Sequence, residues 1–269
     1  MTISFIGGGN MTRALIGGLL KQNSPAGMRV VEIDAEQRDR IRLEFNLEVY
    51  AELDKGVAGS DTVVLAVKPQ QLSAVARELA PLLSGHLVIS IAAGIRAADI
   101  SRWLGDYSKI VRAMPNTPAL AGSGITGLHA LPAVDEKGKL DAETLFAGVG
   151  SVLWCPHEEM LDVVTAVAGS GPAYVFYFME AMQKAAVELG QTAAQARQLT
   201  IETFLGAVRL TIQSNEDASI LRARVTSPGG TTERAIRSFE ADGVQNAIVK
   251  AIHLAHERSQ ELGDEFGKT

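Results

Sequence analysis

The glycine-rich segment near the start of the chain is the feature that most restricts the fold. An apolar run, Ile3–Ile6, leads directly into Gly7-Gly8-Gly9-Asn10-Met11, where a helical pattern begins. Gly7 permits a tight turn between strand and helix, and Gly9 has no side chain to keep a pyrophosphate away from the backbone. The N–H groups and the positive dipole end of the helix attract phosphate. The segment therefore predicts a dinucleotide-binding turn, with cofactor contacts from Gly7, Gly8, Gly9, Asn10 and Met11.

The first part of the chain alternates short apolar runs with segments of helical pattern. The runs are rich in β-branched residues, as expected for parallel strands covered on both faces. The predicted strands are Ile3–Ile6, Met28–Ile33, Thr62–Val67, Leu87–Ile91, Ile110–Ala113 and Ser151–Trp154. Predicted helices between them include Met11–Leu20, Ala35–Glu44 and Leu72–Leu82. Residues 1–157 are therefore predicted to form an α/β domain with a doubly wound, Rossmann-like, mostly parallel sheet.

The pattern changes after residue 157, where strand signals nearly disappear. The predicted helices are Pro172–Leu189, Thr192–Ile212, Thr231–Glu240 and Gly243–Leu262. Thr192 is a suitable N-cap, and Gly190 a suitable helix stop. The helices are more apolar than one buried stripe requires, so a second copy of the chain is expected to cover them. Residues 158–269 are predicted to form an all-α dimerisation domain, and the chain a homodimer or larger oligomer.

Several features bear on the compartment. The stretch Val163–Met179 has no charge, but it is short for a membrane span and is broken by Gly169-Ser170-Gly171-Pro172, which predicts buried helices. The N-terminus lacks the positively charged region of a signal peptide. Cys155 is the only cysteine and has no disulfide partner within the chain, as is typical of a reducing compartment. We expect a soluble, cytoplasmic protein with no membrane partner.

Charge and histidine spacing argue against two further classes of partner. The chain has 25 Lys and Arg against 31 Asp and Glu, a net charge of −6, so its bulk charge does not supply the basic face that binds nucleic acid. His253 and His256 share a helix face without further ligands, and the other histidines are scattered. No nucleic-acid partner and no metal site are predicted.

An acidic residue at the end of the second predicted strand bears on the choice of cofactor. Asp34 lies at about the distance where a carboxylate accepts hydrogen bonds from the adenosine ribose. A carboxylate there repels a 2′-phosphate, which favours NADH over NADPH. Arg38, one helical turn further on, would compensate, so both cofactors remain open. Thr12 replaces the usual third small residue of the turn and is expected to loosen the packing of helix against strand slightly.

Further segments spread over nearly the whole chain carry a family resemblance. They are Leu65-Ala66-Val67-Lys68-Pro69-Gln70, Ile91-Ala92-Ala93-Gly94, Arg112-Ala113-Met114-Pro115-Asn116-Thr117-Pro118, Gly169-Ser170-Gly171-Pro172-Ala173-Tyr174 and Val225-Thr226-Ser227-Pro228-Gly229-Gly230-Thr231-Thr232. In this order they closely resemble the pyrroline-5-carboxylate reductases. The resemblance implies reduction of L-1-pyrroline-5-carboxylate to L-proline, the last step of proline biosynthesis, by hydride transfer from NADH or NADPH.

The resemblance also implies roles for single residues. The first three segments follow predicted strands, where open α/β sheets bind ligands. They are expected to line the nicotinamide side through Ala66, Val67, Lys68, Pro69, Ala92, Ala93, Gly94 and Asn116. Read without the family, Lys68 is also consistent with a solvated strand-end lysine, and Asn116 with a turn former.

The last segment opens a helix of the second domain, which is thereby also implicated in substrate binding. Its N–H groups and dipole predict a seat for the substrate carboxylate, formed by Ser227, Gly229, Gly230, Thr231 and Thr232. Resemblance places the Thr232 hydroxyl near the ring nitrogen as the catalytic hydrogen-bond donor, and it matches Glu158 to an acidic residue near the substrate. The alternative is that Thr231 and Thr232 are ordinary helix caps. Leu53, Ala223 and Arg224 depart from the family pattern.

Two other functions are compatible with a dinucleotide-binding domain joined to a helical one. A β-hydroxyacid dehydrogenase requires a base or proton relay. Members of that family carry the pattern Gly-x-Gly-x-x-x-Lys at the interdomain helix, and the lysine has that role. Here the corresponding residue is Val175, which cannot relay a proton. A dinucleotide-binding sensor without turnover is the second possibility, and the presence of Thr232 and of the glycine run argues against it.

Overall fold

The structure, a computed structural model, describes residues 1–22 and 27–268. An eight-stranded sheet is built in the order β3-β2-β1-β4-β5-β6-β7-β8. Its strands are β1 (Thr2–Ile6), β2 (Gly27–Val31), β3 (Glu48–Tyr50), β4 (Thr62–Leu65), β5 (Leu87–Ser90), β6 (Ile110–Met114), β7 (Gly124–Ala130) and β8 (Gly150–Trp154). Neighbouring strands are parallel except for β6 and β7, which are antiparallel. The predicted doubly wound, mostly parallel sheet is confirmed.

Helices lie along the chain between the strands. They are α1 (Asn10–Lys21), α2 (Ala35–Phe45), α3 (Leu53–Val57), α4 (Pro69–Leu79), α5 (Ala97–Trp103) and α6 (Glu136–Ala147). Burial on both faces explains the apolar strands: Ile3 and Phe5 of β1 pack in one hydrophobic cluster, and Ile6 packs in another. Side chains that alternate along one strand thus enter separate cores, as expected for the central strand of a sheet covered on both sides.

Two strands were not predicted. β3 has only three residues, and its Glu48 is exposed, so it carries almost no apolar pattern. β7 contains Gly124 and Gly127, and Gly127 has no room for a side chain because a Cβ there would lie 2.9 Å from a methyl carbon of Val164. Glycine weakens a strand pattern and marks close packing of this kind. The predicted ends of β2, β4 and β5 were also too late, because the chain leaves the sheet before its last apolar residues.

By its internal contacts the chain divides into two compact units. The first comprises Met1–Ser170 together with the C-terminal residues from Leu254 onward, and the second comprises Gly171–His253. The first unit continues past β8 through α7 (Met160–Val164) and a π-helical turn (Thr165–Gly169). Leu161 and Val164 of α7 are buried with Cys155 in a small cluster. These residues therefore pack with the sheet unit, although they follow the predicted domain boundary at residue 157.

The second unit is entirely helical. It contains α8 (Gly171–Glu188), α9 (Ala193–Gln213), α10 (Ala218–Arg224), α11 (Thr231–Ala241) and the first part of α12 (Val244–Phe266). Of these helices, only α10 was not predicted from the sequence. Thr192 forms the predicted N-cap, as a capping box with Gln195. Gly190 has a φ of +99° at the predicted helix stop. Phe178 meets Phe204 and Phe239 edge to face.

Helix α8 carries a largely exposed apolar surface. Phe176 and Tyr177 are 59% and 77% exposed, and Val175 is 43% exposed. By length and composition alone, the helical stretch Met160–Glu188 would suffice to cross a membrane. Such stretches also occur as core helices of proteins that do not enter membranes. A covering surface is needed in either case.

Candidate active site

The glycine turn is held in the predicted shape by its neighbours. Gly7 has a φ of +102°, and a Cβ there would lie 2.8 Å from the backbone oxygen of Ala66 at the end of β4. The Gly7 N–H donates to Val31 O at 2.8 Å, which fixes the turn to the end of β2. The buried Thr12 hydroxyl donates to Gly7 O at 2.7 Å. Thr12 was expected to loosen this packing, but its hydroxyl instead ties helix α1 to the turn.

The residues after Gly7 leave the helix start open. Gly9 is the N-cap of α1, without a side-chain cap bond, and the first turn holds no acidic residue. A Cβ on Gly9 would meet no atom within 4 Å, so the space beside the backbone is available to a ligand. Asn10 and Met11 form the first turn of α1. This turn has room for the pyrophosphate of a dinucleotide, and the contacts expected from Gly8, Gly9, Asn10 and Met11 stay a prediction.

Two acidic residues follow β2, and the structure gives them different surroundings. Asp34 is the exposed N-cap of α2, and its Oδ1 accepts from Gln37 N at 2.8 Å. Glu32, which is half-buried, accepts hydrogen bonds from Gly8 N at 2.8 Å and from Asp34 N at 3.0 Å. Arg38 donates to the backbone oxygens of Glu32 and Ile33. Glu32 is therefore the carboxylate next to the glycine turn, and it was not among the predicted site residues.

The segments after β4 and β5 lie at the same sheet edge as the turn. Ala66 and Val67 follow β4, the exposed Lys68 is the N-cap of α4, and Pro69 is its first residue. After β5, Ala92 is buried, Ala93 is half-buried, and Gly94 has a φ of +73°. A Cβ on Gly94 would lie 3.0 Å from the Cβ of Leu262. Close packing of α12 thus explains this glycine, while the remaining residues border the edge where ligands bind in such sheets.

Asn116 has a structural partner at each end of its amide. Its Oδ1 accepts from Ile125 N at 2.9 Å, and its Nδ2 donates to Ala168 O at 3.0 Å. The residue is 9% exposed, so these bonds join the segment after β6 to β7 and to the π-helical turn. The turn-former alternative has direct support in these contacts, and a cofactor contact by Asn116 stays a prediction.

Glu158 takes part in a partly buried ion pair. Its Oε1 lies 2.7 Å from Arg112 Nη1 and accepts from Ala97 N at 2.6 Å. The side chains of Arg112 and Glu158 are 10% and 22% exposed. The carboxylate therefore joins β6 to the start of α5. This contact gives Glu158 an anchoring role that the sequence did not indicate, and its predicted substrate contact has no counterpart among these bonds.

In the second unit, Ser227–Thr232 forms a tight turn into α11. Gly229 has a φ of +72°, and its N–H donates to Glu233 Oε2 at 2.8 Å. The Gly230 N–H donates to Ser227 O at 3.0 Å. Two of the amides predicted to seat a carboxylate are thus engaged within the turn itself. An incoming carboxylate would have to displace Glu233 from Gly229, or bind the amides beyond it.

The two threonines of this turn do not cap the helix. Gly230 is the N-cap of α11 and makes no side-chain cap bond, while Thr231 and Thr232 occupy the first two helical positions. Arg224, which departs from the family pattern, forms a two-point ion pair with Glu216, including a contact of 2.6 Å. Its charge is therefore compensated locally. The capping alternative for Thr232 loses its structural basis, and its hydroxyl remains available for chemistry.

Other reactive groups give no competing site. Burial raises the pKa of the Cys155 thiol, which disfavours the thiolate needed by a nucleophile. Over residues 1–22 and 27–268, no three His, Cys, Asp or Glu side chains are grouped to hold a metal ion. The glycine turn with its sheet edge remains the candidate cofactor site.

Comparison with known proteins decides the family. Residues 158–262 match the family described as pyrroline-5-carboxylate reductase dimerisation. Residues 2–94 match the one described as NADP oxidoreductase coenzyme F420-dependent. A curated pyrroline-5-carboxylate reductase from Pseudomonas aeruginosa is 46% identical, covering 99% of this chain and 98% of that protein. The chain belongs to the pyrroline-5-carboxylate reductase family.

Solved structures agree with this assignment. A pyrroline-5-carboxylate reductase from Coxiella burnetii has a TM-score of 0.91 at 41% identity, over 97% of both chains. The Plasmodium falciparum pyrroline carboxylate reductase, solved with NADP bound, has a TM-score of 0.88 at 27% identity, over 98% of both chains. A Streptomyces aurantiacus imine reductase, 15% identical with a TM-score of 0.59, shares the fold alone.

Membership in the pyrroline-5-carboxylate reductase family confirms the resemblance found in the sequence. The chain is an NAD(P)H-dependent oxidoreductase with a Rossmann-like domain and a helical dimerisation region. The exposed apolar surface of α8 lies within that dimerisation region. Self-association through this region therefore accounts for the exposed apolar surface of α8.

Proposed function

We propose that this chain reduces L-1-pyrroline-5-carboxylate to L-proline, the final step of proline biosynthesis, with NADH or NADPH as hydride donor. The observation that carries the proposal is the family match over nearly the whole chain, together with a glycine turn whose shape is maintained by close contacts. A β-hydroxyacid dehydrogenase is disfavoured because Val175 offers no proton relay.

The first unit binds the cofactor. The open N-terminus of α1, with Gly7, Gly8, Gly9, Asn10 and Met11, receives the pyrophosphate. The sheet edge borders the nicotinamide through Ala66, Val67, Lys68, Pro69, Ala92, Ala93, Gly94 and Asn116. When bound, the reduced nicotinamide supplies the hydride. Because a protonated imine carbon is already electrophilic, the protein's main contributions are positioning and exclusion of water.

The helical unit binds the substrate. Ser227, Gly229, Gly230 and Thr231 form the seat of the carboxylate at the start of α11. The Thr232 hydroxyl donates a hydrogen bond to the ring nitrogen as it becomes an amine. Its side chain is partly exposed and does not serve as a helix cap, which supports this role.

The functional division runs at residue 157. Residues 1–157 are the dinucleotide-binding domain, and residues 158–269 bind substrate and dimerise. The enzyme is a homodimer or larger oligomer in the cytoplasm, with no nucleic-acid or membrane partner. The net charge of −6 and the dimerisation match support this description.

Steady-state kinetics test the proposal. The purified chain is mixed with pyrroline-5-carboxylate and either NADH or NADPH, and cofactor oxidation and proline are measured together. We expect oxidation only when the imine is present, with one proline formed per cofactor. Oxidation of a 3-hydroxy acid by NAD⁺ or NADP⁺ would instead support the dehydrogenase. Cofactor binding without turnover on any of these substrates would support a sensor.

A further inference from the structure

The end of α12 approaches the loop that follows β5 (residues 92–96, the β5 loop) through two glycines. Gly263 of α12 is buried, and a Cβ there would lie 3.3 Å from Gly94 O and 3.2 Å from Arg96 Nε. In the opposite direction, a Cβ on Gly94 would lie 3.0 Å from the Cβ of Leu262. Such short distances leave little room for a methyl group at either position, so the helix and the loop pack backbone against backbone.

Polar contacts hold this part of α12 in place. Ser259 is 3% exposed, and its hydroxyl donates to Asp162 Oδ1 of α7 at 2.6 Å. Asp264 lies 2.6 Å from Arg96 of the β5 loop. All of these residues belong to the first unit, which includes the chain from Leu254 onward. The β5 loop is therefore fixed by a helix that is distant from it in sequence.

The β5 loop is also part of the edge proposed to border the nicotinamide. Ala92 and Ile95 are buried in one core cluster, and Phe266 of α12 packs against the same cluster. Ala93 and Gly94 lie between these two buried residues, at the carboxyl edge of the sheet. The φ of Gly94, +73°, turns the chain at the point where α12 touches it. A shift of α12 toward the loop would therefore move backbone that borders the proposed nicotinamide site.

We propose that the C-terminal part of α12, through the contact of Gly263 with Gly94, positions the β5 loop and thereby the nicotinamide ring for hydride transfer. This inference rests on the proposed function for the presence of a dinucleotide at this edge. Because α12 acts on the cofactor only through the loop, Gly263 is a positioning residue. The pyrophosphate is received by a different element, the start of α1, so its binding should not depend on this contact.

Gly263→Ala in the oligomeric protein tests the inference. The added Cβ must displace Gly94 O by a few tenths of an ångström, while alanine favours the helix itself. Single-turnover reduction of pyrroline-5-carboxylate, followed by the absorbance of the reduced nicotinamide, should slow about five- to tenfold, because a misplacement of about 1 Å costs roughly a hundredfold. The affinity for NADH or NADPH, whichever the wild type binds more tightly, should fall about three- to tenfold, the range of one weakened contact.

Cofactor fragments separate this role from a merely structural one. ADP-ribose and its 2′-phosphate lack the nicotinamide, so their affinities should change by less than about twofold in Gly263→Ala. The matched control is Gly17→Ala, which also adds a methyl group within a helix but meets no atom within 4 Å. In that control the hydride-transfer rate and every affinity should stay within about twofold of the wild type.

Two results would overturn the inference. They are a wild-type rate of hydride transfer in Gly263→Ala, and an equal loss of affinity for the intact cofactor and for its nicotinamide-free fragment. If Gly263→Ala does not fold, Leu262→Ala removes the side chain that packs on Gly94, and the same pattern is expected from the loosened loop. Failure of the proposed function is separate. A wild type that transfers no hydride to the imine would refute that function, while the comparison of cofactor with fragment would still test the position of the loop.

Discussion

Replacing Glu158 with alanine separates an anchoring role from a substrate role. In the structure its carboxylate holds Arg112 at 2.7 Å and Ala97 N at 2.6 Å, and both partners lose a charged acceptor when it is removed. Hydrogen bonds to charged groups contribute about 1.5–3 kcal/mol each, and breaking a buried pair costs about 3–5 kcal/mol. Because Glu158 is 22% exposed, water would partly replace it, and we expect a loss of about 2–3 kcal/mol.

Thermal unfolding followed by circular dichroism measures that loss. In a unit of this size each kcal/mol shifts Tm by about 2–4 °C, so Glu158→Ala should lower Tm by about 5–10 °C. The matched control is Glu159→Ala, which removes an exposed neighbouring carboxylate and should stay within about 2 °C of the wild type. Well below Tm, KM for the imine should change less than about threefold. An unchanged Tm with a KM raised tenfold or more would refute the anchoring role and support the predicted substrate contact.

Three further predictions concern the glycine turn, the hydroxyl of Thr232 proposed to act in catalysis, and the oligomer. Gly7→Ala should weaken cofactor binding at least about tenfold, because a Cβ there would lie 2.8 Å from the backbone oxygen of Ala66. In the control Gly17→Ala the added Cβ would meet no atom within 4 Å, so cofactor affinity should be kept and Tm should rise. Equal cofactor affinity in the two variants would contradict this. Thr232→Ala should lower kcat about ten- to a thousandfold, the range of one oriented hydrogen-bond donor. Cofactor affinity and Tm should stay nearly unchanged, because Thr232 does not cap α11. Wild-type turnover in this variant would contradict the proposed role of Thr232. Val175→Glu should dissociate or unfold the expected oligomer, because Val175 is 43% exposed on the apolar surface of α8. Sedimentation of both proteins checks this, and a monomeric wild type would contradict it.

The sequence was sufficient for the fold class and the glycine turn because both depend on local pattern. A strand followed by glycines and a helix start requires little long-range information, and the buried parallel strands are apolar on both faces. β3 and β7 were missed for the opposite reason. Glu48 in β3 faces solvent, and Gly127 in β7 is required by contact with Val164 of α7, which is distant in the chain.

The roles of individual polar residues were harder to predict, because hydrogen-bond partners distant in sequence determine them. Asn116 and Glu158 matched a family pattern, but their partners Ala168 and Arg112 are invisible to local spacing. Glu32 and Asp34 are two residues apart, and their contacts distinguish them: Glu32 accepts from Gly8 N, whereas Asp34 accepts from Gln37 N as the N-cap of α2. A signal did exist for Glu32, since it immediately follows the apolar run of β2.

Isotope transfer tests the central claim most directly. The reduced cofactor is prepared with deuterium at the transferable position of the nicotinamide ring, and the enzyme is supplied with pyrroline-5-carboxylate. We predict proline with one deuterium on the ring carbon that belonged to the C=N bond, because the hydride passes directly from the cofactor to that carbon. Proline without deuterium, or labelled cofactor that is not consumed by the folded oligomer, would contradict the assignment as a pyrroline-5-carboxylate reductase.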